Sequence, residues 1–395
     1  MAQYSVKRIL NYVKIKDVLS LFVCLLVFPF AIVSKIFIRG FWLVCEDEFE
    51  ARDNGYWFFK WVRENKPKQK IAYAISKKSL GYSKVKSLGK VINYGGISHW
   101  FWYIVADKNI SSQKGGKPNA PLCYFFEVVL KLRKNNRVFL QHGITKDLAD
   151  WLFYKNTRMR LFVTATKQEY EFISENFGYP EKNVKLLGFS RFDNLHESIV
   201  DESLILVMPT WREWLGRVGK DNKDLQFKDT LYYKKWSEFL TSKELINLLY
   251  KFDKKIIFYP HRNMQKFLND FESLDERIIL ANSKEYDVQN LLKTARVLLT
   301  DYSSVFYDFA YMRKPVLFYQ FDEKEFREKQ YRQGYLDYHD TPLGYWAGST
   351  EDTINNLKGV LEGRLLPPND ENFKSVFTLW DTDNSKRIYE ELKNM

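Results

Sequence analysis

The chain has 395 residues and few cysteines, only Cys24, Cys45 and Cys123. An odd number at these spacings builds neither a disulfide framework nor a thiolate metal site, and a reducing compartment fits best. No grouping of His, Cys, Asp or Glu has metal-ligand spacing, so no metal is expected. There is no GxGxxG fingerprint and no P-loop, which speaks against a dehydrogenase or an ATPase. Internal repeats and low-complexity tracts are missing. So is any recognised nucleic-acid motif, although the net charge is +12; nucleic acid is therefore not the expected partner.

What remains is ample. A hydrophobic content of 45% excludes wholesale disorder, and the length allows two α/β domains with separate cores. The positive charge is unevenly spread. Residues 1–44 carry six Lys/Arg against Asp17, and residues 60–90 carry ten against Glu64. Such blocks suit an anionic membrane surface or a polyanionic substrate, or else form a solvated face.

Val18–Val33 is nearly all apolar, interrupted by Ser20 and Pro29, with Lys7, Arg8, Lys14 and Lys16 before it and Lys35 and Arg39 after. As a helix these residues reach about 24 Å, short of a hydrocarbon core of about 30 Å. With the apolar patch Phe41–Val44, the segment 1–44 reads as a monotopic or re-entrant anchor on the cytoplasmic leaflet. A signal peptide, a tilted span and a soluble core helix are the alternatives. No small-x-small cleavage site supports the first.

Strands alternate with helical patterns from there on, which implies parallel sheets with right-handed crossovers. Candidate strands are Lys70–Ser76, Arg137–Leu140, Leu161–Thr164 and Val184–Leu187, then Leu204–Met208, Lys255–Tyr259, Arg277–Leu280, Arg296–Leu299 and Val316–Tyr319. Lys235–Phe252 reads as one helix. The polar stretch His196–Ser203 separates a domain over 45–197 from one over 198–395 that ends in a helical tail.

Residues 296–319 are the most informative. A strand enters the polar turn Thr300–Ser304, a helix follows with Ser303 as its expected N-cap, and a second strand comes after Pro315. Hydroxyls and amide N–H groups at a helix start favour a phosphate. Three other strands end in polar residues: Gln141–His142–Gly143, Pro209–Thr210–Trp211–Arg212 and Pro260–His261–Arg262. An exposed His suits general-base work. Arg offers phosphate a planar fork of donors. Each alone has a bland reading as a loop His or a surface ion pair. All four fall where a doubly wound sheet binds its ligands. Together they suggest a nucleotide-diphosphate transferase whose leaving group is neutralised by side chains rather than by a divalent ion.

On Gln141–Gly143, Gly188–Asn194, Pro209–Arg212, Tyr259–Arg262 and Thr300–Phe318, the chain resembles the CDP-glycerol glycerophosphotransferases, the family of teichoic acid primases and polymerases. The resemblance covers residues 45–365. It implies a GT-B architecture, two Rossmann-like domains facing each other across the active cleft. It implies transfer of glycerol phosphate from CDP-glycerol to a hydroxyl of a membrane-linked glycan or teichoic or capsular polymer, releasing CMP and using no cofactor. His142 is then the base and His261 its catalytic partner. Arg262, Thr300, Ser303, Ser304, Thr210 and Arg212 hold the donor diphosphate, and Asp301 and Asp308 orient neighbours. Arg191 and Asp193 fit a structural role at the interdomain loop equally well. The loop departs from the family pattern in having Ile144 and Thr145 after His–Gly. A transferase using CDP-ribitol or a nucleotide sugar is the near alternative. A catalytically silent, membrane-bound glycan-binding protein is the distant one.

Overall fold

The computed structural model describes residues 14–132, 136–217 and 226–395; Lys7 and Arg8 of the N-terminal basic flank lie outside them. Two wholly parallel sheets form two lobes. The first has the order β3-β2-β1-β4-β5-β6-β7, with β1 Trp42–Val44, β2 Ile71–Ile75, β3 Val91–Asn93, β4 Lys108–Ser111, β5 Arg137–Phe139, β6 Leu161–Thr164 and β7 Val184–Leu186. The second has the order β10-β9-β8-β11-β12-β13, with β8 Asp201–Met208, β9 Lys255–Phe258, β10 Ile278–Leu280, β11 Ala295–Thr300, β12 Val316–Tyr319 and β13 Tyr345–Ala347. Helices cover both faces, so central strands such as Ile71–Ile75 and Val316–Tyr319 are buried throughout. In each sheet the strand order reverses once, at β1/β4 and at β8/β11. A crevice opens beyond the carboxyl ends of the strands at such a reversal. The two crevices face each other.

The fold corrects several expectations. Phe41–Val44 is not part of an anchor: β1 is a central strand, paired with β2 and β4, and Trp42, Leu43 and Val44 are buried. Three apolar residues are too few for periodicity to distinguish strand from membrane segment. The N-terminal helix is longer than its apolar run. It spans Ile15–Phe37, 23 residues with Pro29 inside, or about 35 Å. Asp17 caps its start by accepting from Lys14 N (2.9 Å) and ties it to the lobe by accepting from Asn119 Nδ2 (2.8 Å). Only Asp17, Cys24, Val27 and Ala31 are buried, so it is not a core helix.

The expected helix 235–252 is two, Leu231–Leu240 and Lys243–Lys251. Ser242 caps the second by accepting from Leu245 N. The C-terminal tail does not stay with the second lobe. Helix Asn384–Asn394 returns to the first, setting Tyr389 against Trp42 and Trp61 with ring centroids 5.4 and 5.8 Å apart. Its amphipathic pattern, with Ile388 and Leu392 buried, requires an apolar surface to lie on.

Candidate active site

A cavity of about 530 Å3 lies between the lobes at the carboxyl ends of their strands. His142, His261, Arg262, Ser303, Ser304, Thr210 and Asp308 line it; Thr300, Arg212 and Asp301 do not.

His142 follows β5 on a strained link. Gln141 has φ +62°, a left-handed conformation that non-glycine residues rarely adopt. Buried Asn54 holds it by donating from Nδ2 to the carbonyls of Leu140 (3.1 Å) and Gln141 (2.6 Å). Glu169 braces the loop from below, accepting from Thr145 N (2.7 Å) and Ala165 N (2.8 Å). Gly143 lets the Ser304 hydroxyl of the other lobe approach closely, and a β-carbon here would push that hydroxyl aside. The His142 ring opens onto the cleft and stacks on Trp151, centroids 6.3 Å apart. Although the ring meets solvent in the cleft, protein surrounds it closely. That burial lowers its pKa; Arg191 and Arg262 add to the lowering and Asp53 opposes it. At neutral pH the ring is therefore neutral and able to accept a proton.

His261 faces it from the end of β9, stacked on Trp211 with centroids 6.1 Å apart. Burial, then Arg262 and His142, push its pKa down to about 4. Its Nδ1 accepts from Asn263 N (3.2 Å), so Nε2 carries the proton and is free to donate. Arg262 is 64% exposed, and its one ion pair among the described residues is with Glu50 of the first lobe, at 3.5 Å. Thr210 contributes a buried hydroxyl with no partner among the described residues. The helix after the turn is Val305–Tyr311, so Ser304 and not Ser303 directly precedes it; Ser303 Oγ accepts from Val305 N (3.3 Å).

Two expected donor-site residues, Thr300 and Arg212, have other duties, and Asp301 orients its neighbours. Thr300 is fully buried and donates its hydroxyl to the Met208 carbonyl (2.6 Å). Arg212 is fully buried, bidentate on Asp322 (2.7 and 3.0 Å) and paired with Asp301 (2.9 Å). Asp301 also accepts from Thr210 N and Tyr302 N (2.8 and 2.7 Å), so it joins the ends of β8 and β11. These residues build the turn and do not line the cavity. Asp308 lines the cavity floor, but Arg191 grips it in a bidentate pair (2.7 and 2.9 Å) across the lobe boundary and also holds Asp53 (2.9 Å). Burial opposes the charge of Arg191, and Asp308 with Asp53 more than offsets that. Asp193 caps the returning C-terminal helix, accepting from Asn384 N and Ser385 N (both 2.9 Å).

The sequence motifs leave out Glu46, Asp53, Asn54 and Trp151, and they give Trp211 no role of its own. Asp53 carried a signal, an Asp ahead of an apolar helical run, and it does cap helix Asn54–Asn65. Glu46, which accepts from Arg52, Asp53 and Tyr56 N–H groups, had none. The basic stretch 60–90 stays out of the cavity, and several of its lysines lie over rings, Lys84 on Tyr56 (4.1 Å) and Lys90 on Trp102 (3.8 Å). Among the described residues, no three His, Cys, Asp or Glu side chains group as metal ligands.

A family described as CDP-glycerol:poly(glycerophosphate) glycerophosphotransferase matches residues 41–394. The minor teichoic acid biosynthesis protein GgaB of Bacillus subtilis (strain 168) is 31% identical over 367 residues, 88% of this chain and 39% of that protein. The teichoic acid poly(glycerol phosphate) polymerase of the same strain is 24% identical over 332 residues, 76% of this chain and 41% of that protein. The chain thus spans about two fifths of the length of these two relatives. Among solved structures, the wall teichoic acid polymerase TagF superimposes with a TM-score of 0.63 at 16% identity, covering 90% of this chain and 89% of that one. That likeness supports the two-lobed fold.

Proposed function

The chain belongs to the CDP-glycerol:poly(glycerophosphate) glycerophosphotransferase family, and from that premise we propose that it transfers glycerol phosphate from CDP-glycerol to a hydroxyl of a teichoic or capsular polymer, releasing CMP. The observation that carries this reading is the pair of neutral histidines, one from each lobe, in a cavity that also holds Arg262, Ser303 and Ser304.

The acceptor oxygen attacks the phosphorus that bears glycerol, and its proton passes to His142. The bond from that phosphorus to the CMP oxygen breaks, and CMP leaves with the bonding pair. His261 Nε2–H, Arg262 and the hydroxyls of Ser303, Ser304 and Thr210 stabilise the charge that develops on the phosphate oxygens. No enzyme-bound intermediate is needed. Because side chains supply the neutralising groups, turnover requires no metal.

The helix Ile15–Phe37 supports action at the cytoplasmic face of a membrane, near a lipid-linked or polymeric acceptor. Its outward side exposes Leu19, Phe22, Leu26 and Phe30, each more than 60%. The length and composition also suit a single span. The long contact with helix Ile97–Val105, including the Trp100 Nε1–Ser20 Oγ bond (3.0 Å), favours a helix lying along the lobe.

The test is CMP release from CDP-glycerol by purified protein with bacterial membranes as acceptor source, beside CDP-ribitol, UDP-sugars, an EDTA arm and the His142→Ala variant. Release from CDP-glycerol alone, unaffected by EDTA and lost in the variant, is expected. Release from CDP-ribitol or a UDP-sugar instead would reassign the donor. Undiminished release by the variant would remove His142 as the base.

A further inference from the structure

A second cavity, of about 910 Å3, opens at the opposite edge of the first sheet. Arg158 and Arg160 precede β6 and Lys182 precedes β7, so it lies beyond the amino ends of strands whose carboxyl ends face the cleft. Lys131, Arg158, Arg160, Lys182 and Lys185 line it. The acids beside them are Glu127 and Glu391. Glu127 is already engaged by Lys117 Nζ (3.2 Å) and the Tyr103 hydroxyl (2.7 Å). Arg160 already donates to the main-chain oxygen of Met395, which also lines the cavity (2.8 Å). Arg158, Lys182 and Lys185 make no ion pair among the described residues, and Arg158 and Lys185 are half-buried. Partly desolvated cations converging on one cavity attract an anion.

The surroundings narrow the choice of anion. The segment that supplies Lys131 exposes Phe125, Val129, Leu130 and Leu132 to between 39 and 70%. Tyr124, also exposed, continues this apolar strip toward helix Ile15–Phe37, which contacts helix Ala120–Tyr124. A phosphodiester polymer in water would use the cations and leave the apolar rim idle. A lipid uses both, its phosphate in the cavity and its acyl region against the rim. We propose that this cavity binds the phosphate headgroup of an anionic phospholipid at the membrane surface. The proposal deepens the membrane reading above and rests on it.

The experiment is co-sedimentation of the full chain with phosphatidylcholine vesicles and with vesicles that also contain phosphatidylglycerol. The triple variant Arg158→Ala/Lys182→Ala/Lys185→Ala is compared in both, with thermal melts to verify folding. Partitioning onto the phosphatidylglycerol vesicles should fall about fivefold for each cation removed. Binding to neutral vesicles should not change. Leu130→Ser/Leu132→Ser should weaken both. If the triple variant does not fold, Lys182→Glu on the exposed rim gives the same comparison. An unchanged preference for phosphatidylglycerol overturns the proposal. So does retained lipid binding with loss of poly(glycerol phosphate) binding in vesicle-free buffer, which would assign the cavity to the polymer. Wild-type chain that binds neither vesicle sinks the membrane reading itself.

Discussion

The ends of β8 and β9 carry the same chemistry, a proline followed closely by an aromatic or histidine ring and an arginine, and use it in opposite ways. Arg212 is fully buried between Asp301 and Asp322, with the Tyr302 ring 5.0 Å from its guanidinium. Arg262 reaches into the cleft and, among the described residues, pairs only with Glu50, at 3.5 Å. The difference lies in what the neighbouring strands bring. β11 and the segment after β12 place two carboxylates around the end of β8 and none around the end of β9. A cation between two buried acids fixes a scaffold. A cation left in solvent is free for substrate. Both kinds are needed, because the turn that presents Ser303 and Ser304 hangs on Asp301.

This contrast can be broken most forcefully at Arg212. Arg212→Ala leaves two buried carboxylates unpaired and should cost about 3–5 kcal/mol of stability, read by urea denaturation. Arg262→Ala should leave the denaturation midpoint in place. It should lower kcat/KM for the donor roughly ten- to hundredfold, as loss of a charge-assisted contact of about 1.5–3 kcal/mol implies. A stable Arg212→Ala protein with a selective donor defect would invert the assignment.

A finer division separates the hydroxyls. Thr300→Val strands the Met208 carbonyl and should cost about 1 kcal/mol of stability with turnover per folded molecule unchanged. Thr210→Val removes a hydroxyl that has no partner among the described residues, so stability should hold while donor KM rises. The two single variants, measured by melting and by steady-state kinetics, should show complementary defects.

The pH profile sharpens the roles of the facing histidines. His142 must be neutral to accept the proton, and its pKa lies below the ordinary 6.5. Activity should therefore rise with pH on an acid limb centred below 6.5 and stay flat through neutrality. A limb centred above 6.5 would mean that another group is the base. The smallest effect is expected at Glu50→Gln, which removes the 3.5 Å partner of exposed Arg262 and weakens the partly exposed Glu50–Arg52 pair (2.7 Å). An exposed pair is worth less than about 1 kcal/mol, so stability should barely move and donor KM should fall slightly.

Much of this was legible in the chain. The turn Thr300–Ser304, the histidines after β5 and β9 and the alternation of strand and helix all sit where local pattern places them. A run of apolar residues marks a buried parallel strand, and polar residues just past it mark an edge. Burial at that edge was not legible. Thr300 and Ser303 are three residues apart in one polar turn, yet one hydroxyl bonds the neighbouring strand and the other lines the cleft. β1 was hidden for a related reason, since Trp42–Val44 beside an apolar helix reads as more of the same.

The order of apolar and polar residues along the chain thus determined the doubly wound lobes, the cleft-facing strand ends and the outward apolar face of the N-terminal helix, because periodicity and hydrophobic burial act over neighbouring residues. Only the tertiary structure decided which of the cations and hydroxyls at those ends are spent on the scaffold. That choice depends on partners more than a hundred residues away, as in Arg191 with Asp308 and Arg212 with Asp322. In a medium of low dielectric, a charge that finds its carboxylate is held there, and one that does not stays available to the substrate.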